Sequence, residues 1–134
     1  MFSARLRGAE EVPPVSTNAK GKFFARLLED GRSLAFTLEI EEIRNAFVGH
    51  IHLGRRGVNG PIVVFLFGPL RHPISVRKGA ATVTGTITRE NLVGPLQGHS
   101  LRTLIRQMRL GNAYVNVHTR QNPNGEMRGQ IRHR

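Results

Sequence analysis

Apolar and polar residues alternate along most of the chain with a period of two. In the stretch 34–41, Leu34, Phe36, Leu38 and Ile40 alternate with small or polar residues. Successive side chains of a β-strand point to opposite faces, so this pattern predicts strands with one face on the core. The same alternation occurs at residues 23–27, 46–53, 81–88, 113–119 and 126–131.

Turn signals separate these segments at short intervals. Asp30-Gly31 predicts a hairpin between the strands at 23–27 and 34–41. Within 81–88 the polar positions are all threonine, which predicts a solvated sheet face. The other turn signals are Pro13-Pro14, Asn59-Gly60-Pro61, Gly68-Pro69, Gly94-Pro95 and the run Asn122 to Gly125.

One segment has helical spacing instead. Leu101, Leu104, Ile105 and Met108 recur at i, i+3, i+4 and i+7, which predicts a single amphipathic helix near 100–110. Its arginines, off the apolar stripe, are expected to be solvated. We expect Ser100 to cap the helix and Gly111 to end it. Many strands, one helix and no strand–helix alternation predict an all-β, antiparallel sandwich or barrel, and 134 residues suit a single domain, 1–134.

Composition narrows the chemistry that this domain can perform. The chain has no cysteine, so disulfides and thiolate metal sites are excluded, and a metal would need imidazole or carboxylate ligands. The net charge of +11 favours anionic partners. Specific nucleic-acid binding is not favoured, because the basic residues are scattered and only seven Phe and one Tyr are available for base stacking. No segment is apolar enough for a membrane span or a signal peptide in the given chain.

Histidines supply the strongest candidate site. In the sequence GHIHLG, residues 49–54, strand phase puts Ile51 on the core face and His50 and His52 on the other, about 6.6 Å apart. In AYVNVHT, residues 113–119, His118 lies off the core in the same way. If the two strands are neighbours, the three imidazoles could hold one zinc or copper ion.

Other polar residues share the predicted face of these histidines. Glu126 could be a fourth ligand, an acceptor for an imidazole N–H, or a base acting on bound water. Arg128, Asn116 and Tyr114 are further supporting candidates. The alternative is that the three histidines are ordinary surface residues that titrate near pH 6.5. His72, His99 and His133 lie in loops or near the terminus and are expected to be surface or capping residues.

Several motifs together resemble the CHRD domain, named after chordin. They are GAEEVPPVSTNAKG at the amino end, GHIHLG followed by NGPIVVFL, and GNAYVNVHTRQNPNGEMRGQI at the carboxyl end. Glu11 falls in the first motif, and Glu126 and Arg128 in the last. The resemblance implies an immunoglobulin-like or superoxide-dismutase-like β-sandwich and an exported or cell-surface location, and it implies no established reaction. Dismutase activity is not carried over, because fold alone does not transmit function.

The leading hypothesis is therefore a single CHRD-like domain that binds zinc or copper through His50, His52 and His118. The alternative is a metal-free interaction module that binds a partner protein or acidic polymer through a basic surface. Arg55, Arg56, Arg77 and Lys78 would be the first candidates there. An enzyme is less favoured, because no nucleophile–base set or close acidic pair is evident. An open sheet edge could also be covered by a second copy of the chain.

Overall fold

The alternating segments form eight strands in the computed structural model, which describes all 134 residues, Met1–Arg134. One α-helix, α1, covers Leu101–Arg109, and three short 3-10 helices cover Gly8–Glu10, Arg89–Asn91 and Gly94–Leu96. The strands are β1 Phe2–Arg7, β2 Lys20–Leu27, β3 Leu34–Leu53, β4 Ile62–Phe67, β5 Ile74–Ile87, β6 Ala113–Thr119, β7 Met127–Gln130 and β8 Arg132–His133.

Strand β3 organises the fold because it pairs with four other strands of one continuous eight-stranded sheet. Its first half pairs with β2 and β5, and its second half pairs with β4 and β6, all antiparallel. Between the halves, Glu42 and Asn45 have positive φ angles of 48° and 57°, and the pairing with β5 shifts register there. Pairing of β1 with β2, β7 and β8, and of β6 with β7, closes the sheet on itself. The predicted all-β antiparallel sandwich is confirmed.

The core lies inside this closed sheet. It contains alternate residues of the strands, such as Phe23, Leu38, Ile51 and Val115, each fully buried. Helix α1 closes one end with the four apolar residues of its predicted stripe, Leu101, Leu104, Ile105 and Met108, all buried. The chain leaves the helix through Gly111, whose φ is 73°. Ser100 stands at the N-cap position, but its side chain makes no capping hydrogen bond, so the prediction of a side-chain cap is wrong.

The predicted surface features also appear in the structure. Thr82, Thr84 and Thr86 of β5 are exposed, and so are the helix arginines Arg102, Arg106 and Arg109. The Asp30-Gly31 turn joins β2 to β3, with Leu28 N–H donating to Ser33 O at 2.8 Å. His72, His99 and His133 are exposed as expected.

No helix in the structure combines the length and the apolar character needed to cross a bilayer.

Candidate metal centre

Strand pairing brings the three candidate histidines together. Strands β3 and β6 are antiparallel neighbours, with Val48 opposite His118, His50 opposite Asn116, and His52 opposite Tyr114. Residues that face each other across two strands share a face of the sheet, so His50, His52 and His118 lie on the outer face, away from the core. His50 Nδ1 lies 3.2 Å from His118 Nε2, and one ring nitrogen from each histidine falls within 4.8 Å of the others.

This outer face is covered rather than solvated. His50, His52 and His118 are 5%, 8% and 9% exposed. Phe65 of β4 contacts the His50 ring edge-to-face, with ring centroids 4.5 Å apart. Above the sheet, Asn59 Nδ2 donates to Val12 O at 2.8 Å and so ties the amino-terminal segment to the loop after β3. The alternative of ordinary surface histidines is therefore wrong.

Backbone carbonyls orient two of the imidazole rings. His52 Nδ1 lies 2.9 Å from Gly60 O, and His118 Nδ1 lies 2.9 Å from Pro123 O. A carbonyl only accepts, so each Nδ1 carries the proton and each Nε2 keeps a free lone pair. His118 Nε2 then accepts a hydrogen bond from His50 Nδ1. His52 Nε2 is buried with no hydrogen-bond partner, which is uncommon for a buried polar atom.

Burial keeps all three imidazoles neutral at pH 7. Burial, together with the neighbouring His118 and His52 rings, lowers the pKa of His50 to about 3. Burial also lowers the pKa of His52, against the opposing hydrogen bond to Gly60. The pKa of His118 is lowered by burial as well. Neutral imidazoles are the form that binds a metal ion.

We expect the metal-free protein to lose stability as the pH falls below about 6.5. Below that pH the unfolded chain takes up protons more readily than the folded chain, because the pKa of each of the three histidines is lowered by folding. A full difference of one proton changes the free energy of unfolding by about 1.4 kcal/mol per pH unit. Glu11 acts in the opposite direction, because burial raises the pKa of its carboxyl to about 7. Three histidines outweigh one carboxyl, so the free energy of unfolding, measured with urea and a chelator, is expected to rise from pH 5 to pH 7.

The variant His50→Gln is compared with the wild type in the same pH series. Its free energy of unfolding should rise less between pH 5 and pH 7. His72→Gln, at an exposed position, should leave the rise unchanged. A wild-type profile that is flat between pH 5 and pH 7 would contradict the burial of the three imidazoles.

Tyr114 and Arg128 form a stack behind His52. The Tyr114 ring lies parallel to His52, with centroids 4.8 Å apart and an angle of 8°. Arg128 Cζ lies 3.4 Å from the centroid of the Tyr114 ring, and its guanidinium donates to Arg55 O at 3.0 Å and Asn59 Oδ1 at 3.3 Å. Arg128 is only 1% exposed. The stack fixes the His52 ring and ties the loop after β3 to the sheet.

Glu126 lies outside the histidine group and organises the neighbouring loops. Its carboxylate accepts hydrogen bonds from the side chains of Thr17, Thr119, Gln121 and Asn122 at 2.7 to 2.9 Å. Burial alone would raise its pKa, but these donors outweigh burial and the pKa is lowered. The group of ring nitrogens within 4.8 Å contains the three histidines alone. Glu126 thus holds the loop whose Pro123 carbonyl orients His118.

Glu11 lies close to the histidine group, and the sequence indicated it only as part of the amino-terminal motif. It is 5% exposed, and its Oε1 accepts a hydrogen bond from Asn116 Nδ2 at 3.3 Å. Glu11 Oε2 and Asn116 Oδ1 are both buried without a partner. These two oxygens both lie next to Gly125. A Cβ added at Gly125 would be 2.7 Å from Glu11 Oε2 and 2.6 Å from Asn116 Oδ1.

Protonation of Glu11 supplies the donor that this pair of oxygens lacks. Desolvation raises the pKa of the carboxyl to about 7, against the opposing effects of Asn116 and Arg128. A neutral carboxyl has one O–H donor, which would be available to Asn116 Oδ1, and one oxygen that accepts from the amide. The acid form of Glu11 therefore suits this position next to the histidines. Its burial is a tertiary effect, and the only sequence signal was its presence in the amino-terminal motif.

A family model described as the CHRD domain matches residues 2–131, nearly the whole chain. Searches of curated proteins and of solved structures gave no match.

Proposed function

The chain belongs to the CHRD domain family, and on that premise we propose that it binds one zinc or copper ion through His50, His52 and His118. The observation that carries the proposal is His52 Nε2, a buried lone pair without a partner, beside the 3.2 Å contact of the other two rings. A metal ion would satisfy this lone pair. Nitrogen ligands of this kind suit both zinc and copper.

The spacing of the ring nitrogens fits a first coordination shell. Metal–nitrogen bonds of about 2.0 to 2.1 Å in a tetrahedron put the ligand atoms about 3.3 Å apart. His50 Nδ1 and His118 Nε2 are 3.2 Å apart, and the full set lies within 4.8 Å, so closing the site requires a modest movement of His52. Binding through His50 Nδ1 would move the proton of this ring to Nε2.

The surroundings of the rings also suit a metal site. Metal-binding histidines usually donate their second N–H to a carbonyl or carboxylate, and here Gly60 O and Pro123 O already play that part for His52 and His118. Three protein ligands would leave a fourth position open. We propose no reaction at that position. An exported or cell-surface location, which the family implies, is part of the same proposal.

Titration of the metal-free protein, purified without a histidine tag, tests the proposal. We expect one zinc or copper ion per chain by calorimetry, and a gain in the free energy of unfolding of about 2.7 kcal/mol at a free ion concentration 100 times Kd. His52→Gln and His118→Gln should each lower the affinity by more than the about 10- to 100-fold that loss of an outer partner costs, because each removes a direct ligand.

His99→Gln is the matched control, because His99 is exposed and distant in sequence from the three candidates. Its metal affinity should equal that of the wild type. A stoichiometry well below one ion per chain, or an affinity that His118→Gln leaves unchanged, would overturn the proposal. Urea unfolding of each variant without metal separates a lost ligand from a lost fold.

A further inference from the structure

Basic side chains line an open groove over β1 and β2, and none of the three candidate histidines lines it. The groove has a volume of about 590 Å³, within the usual range for ligand sites. Six basic and two acidic residues line it. The basic ones are Arg5 and Arg7 of β1, Lys20 and Lys22 of β2, Arg56 in the loop after β3, and Arg132 of β8.

The register of the strands places like charges directly opposite each other. Arg5 faces Lys22, and Arg7 faces Lys20, across β1 and β2. Directly opposed like charges destabilise a sheet. Lys20 has Glu42 at 3.8 Å, and Arg7 and Arg56 share Glu10, but Arg5, Lys22 and Arg132 have no carboxylate within 4.0 Å. An anionic ligand would remove this repulsion.

The basic residues form a ladder along β1. Arg132 of β8 lies opposite Ser3 of β1. Basic side chains therefore occur beside Ser3, at Arg5 and at Arg7, which are two residues, or about 6.6 Å, apart along β1. Such a row fits a linear ligand with repeated charges better than one compact anion. The lining contains no aromatic residue on which a base could stack.

We propose that this groove binds a linear polyanion whose charges are sulfate or phosphate groups and which carries no bases, such as a sulfated polysaccharide or polyphosphate. Of the basic residues first considered from the sequence, only Arg56 lines it. Arginine suits such ligands because its guanidinium pairs with two oxygens of one tetrahedral anion. The site shares no histidine with the proposed metal centre and can be tested without it.

Arg5→Glu is the decisive variant. It turns the opposed pair with Lys22 into an attractive one, so its thermal midpoint should equal or exceed that of the wild type. Its affinity for the ligand should fall about tenfold or more, and the dependence of log Kd on log salt should become shallower by about one to two charges. Arg77→Glu, an equal charge change at an exposed residue outside the groove, is the matched control.

Affinities for a heparin hexasaccharide, a linear polyphosphate and a deoxythymidine oligomer of matched charge are measured by fluorescence anisotropy. The proposal is supported if the hexasaccharide or the polyphosphate binds, Arg5→Glu weakens this binding and Arg77→Glu leaves it nearly unchanged. The polymer that binds more tightly then identifies whether the anion is sulfate or phosphate. Three results would overturn the proposal: no binding of either polymer, an equal loss in both variants, or tighter binding of the deoxythymidine oligomer.

Discussion

Replacing Gly60 with alanine is expected to lower the free energy of unfolding by about 3 kcal/mol, because there is no space for the methyl group. A Cβ at this position would lie 1.6 Å from Leu53 O and 2.8 Å from Leu53 C, both backbone atoms that cannot rotate away. The loop would have to move as a whole. Its movement would displace Gly60 O from His52 Nδ1 and Gly60 N from the Tyr114 hydroxyl.

The same substitution should weaken zinc binding, since it disturbs the carbonyl that orients His52. Loss of such an outer partner commonly costs about 10- to 100-fold in metal affinity. Urea unfolding and zinc calorimetry measure the two effects. Gly57→Ala is the control in the same loop: its φ is 84° and nothing lies within 4 Å of its added methyl. It should cost only about 1 to 2 kcal/mol of backbone strain and leave the zinc affinity unchanged. Equal losses in both variants would contradict this account of Gly60.

Replacing Arg128 with methionine is expected to cost about 3 kcal/mol of unfolding free energy. Arg128 is 1% exposed and covers the Tyr114 ring at 3.4 Å. Methionine keeps part of the apolar stem, but it leaves Arg55 O and Asn59 Oδ1 without the charged donor that binds them. Losing hydrogen bonds from a charged group costs about 1.5 to 3 kcal/mol, and the lost contact with the ring adds to that.

Arg128→Lys should recover only part of this stability, because an ammonium group lacks the planar fork that both stacks on the ring and reaches two acceptors. Arg102→Met, on the exposed side of α1, should change the free energy of unfolding by less than about 0.5 kcal/mol. Thermal and urea unfolding of the three variants give the comparison. A value for Arg128→Met close to that of Arg102→Met would show that the stack does not stabilise the fold.

The alternation of apolar and polar residues was sufficient to predict much of the fold and which three histidines lie on one face. Alternation put Ile51 and Val117 on the core face, which necessarily turned His50, His52 and His118 to the other. Their meeting in space depended on the pairing of β3 with β6, which sequence spacing does not specify. The sequence left that pairing as a condition of the hypothesis, and the structure shows it.

What covers the outer face could not be predicted in the same way. Periodicity says which side of a strand faces the core, but it says nothing about whether a loop lies over the opposite side. His50, Asn116 and Arg128 were expected on the polar face opposite the core, and alternation gave no indication that this face is buried. The roles of Glu126 and Glu11 depend on contacts with Thr17 and Asn116, which are 109 and 105 residues away in the chain. Local patterns carry no information about partners so distant.

Strand β3 also determines how the protein can unfold. Its 20 residues pair with β2 and β5 along one half and with β4 and β6 along the other, so separating either group of strands breaks hydrogen bonds to β3. We therefore expect unfolding to be cooperative, with local opening confined to edge strands and loops. If the proposed ion binds to His50 and His52 at one end of β3, amide exchange that requires cooperative unfolding should slow along the whole strand. A fragment that lacks either half of β3 is expected not to fold.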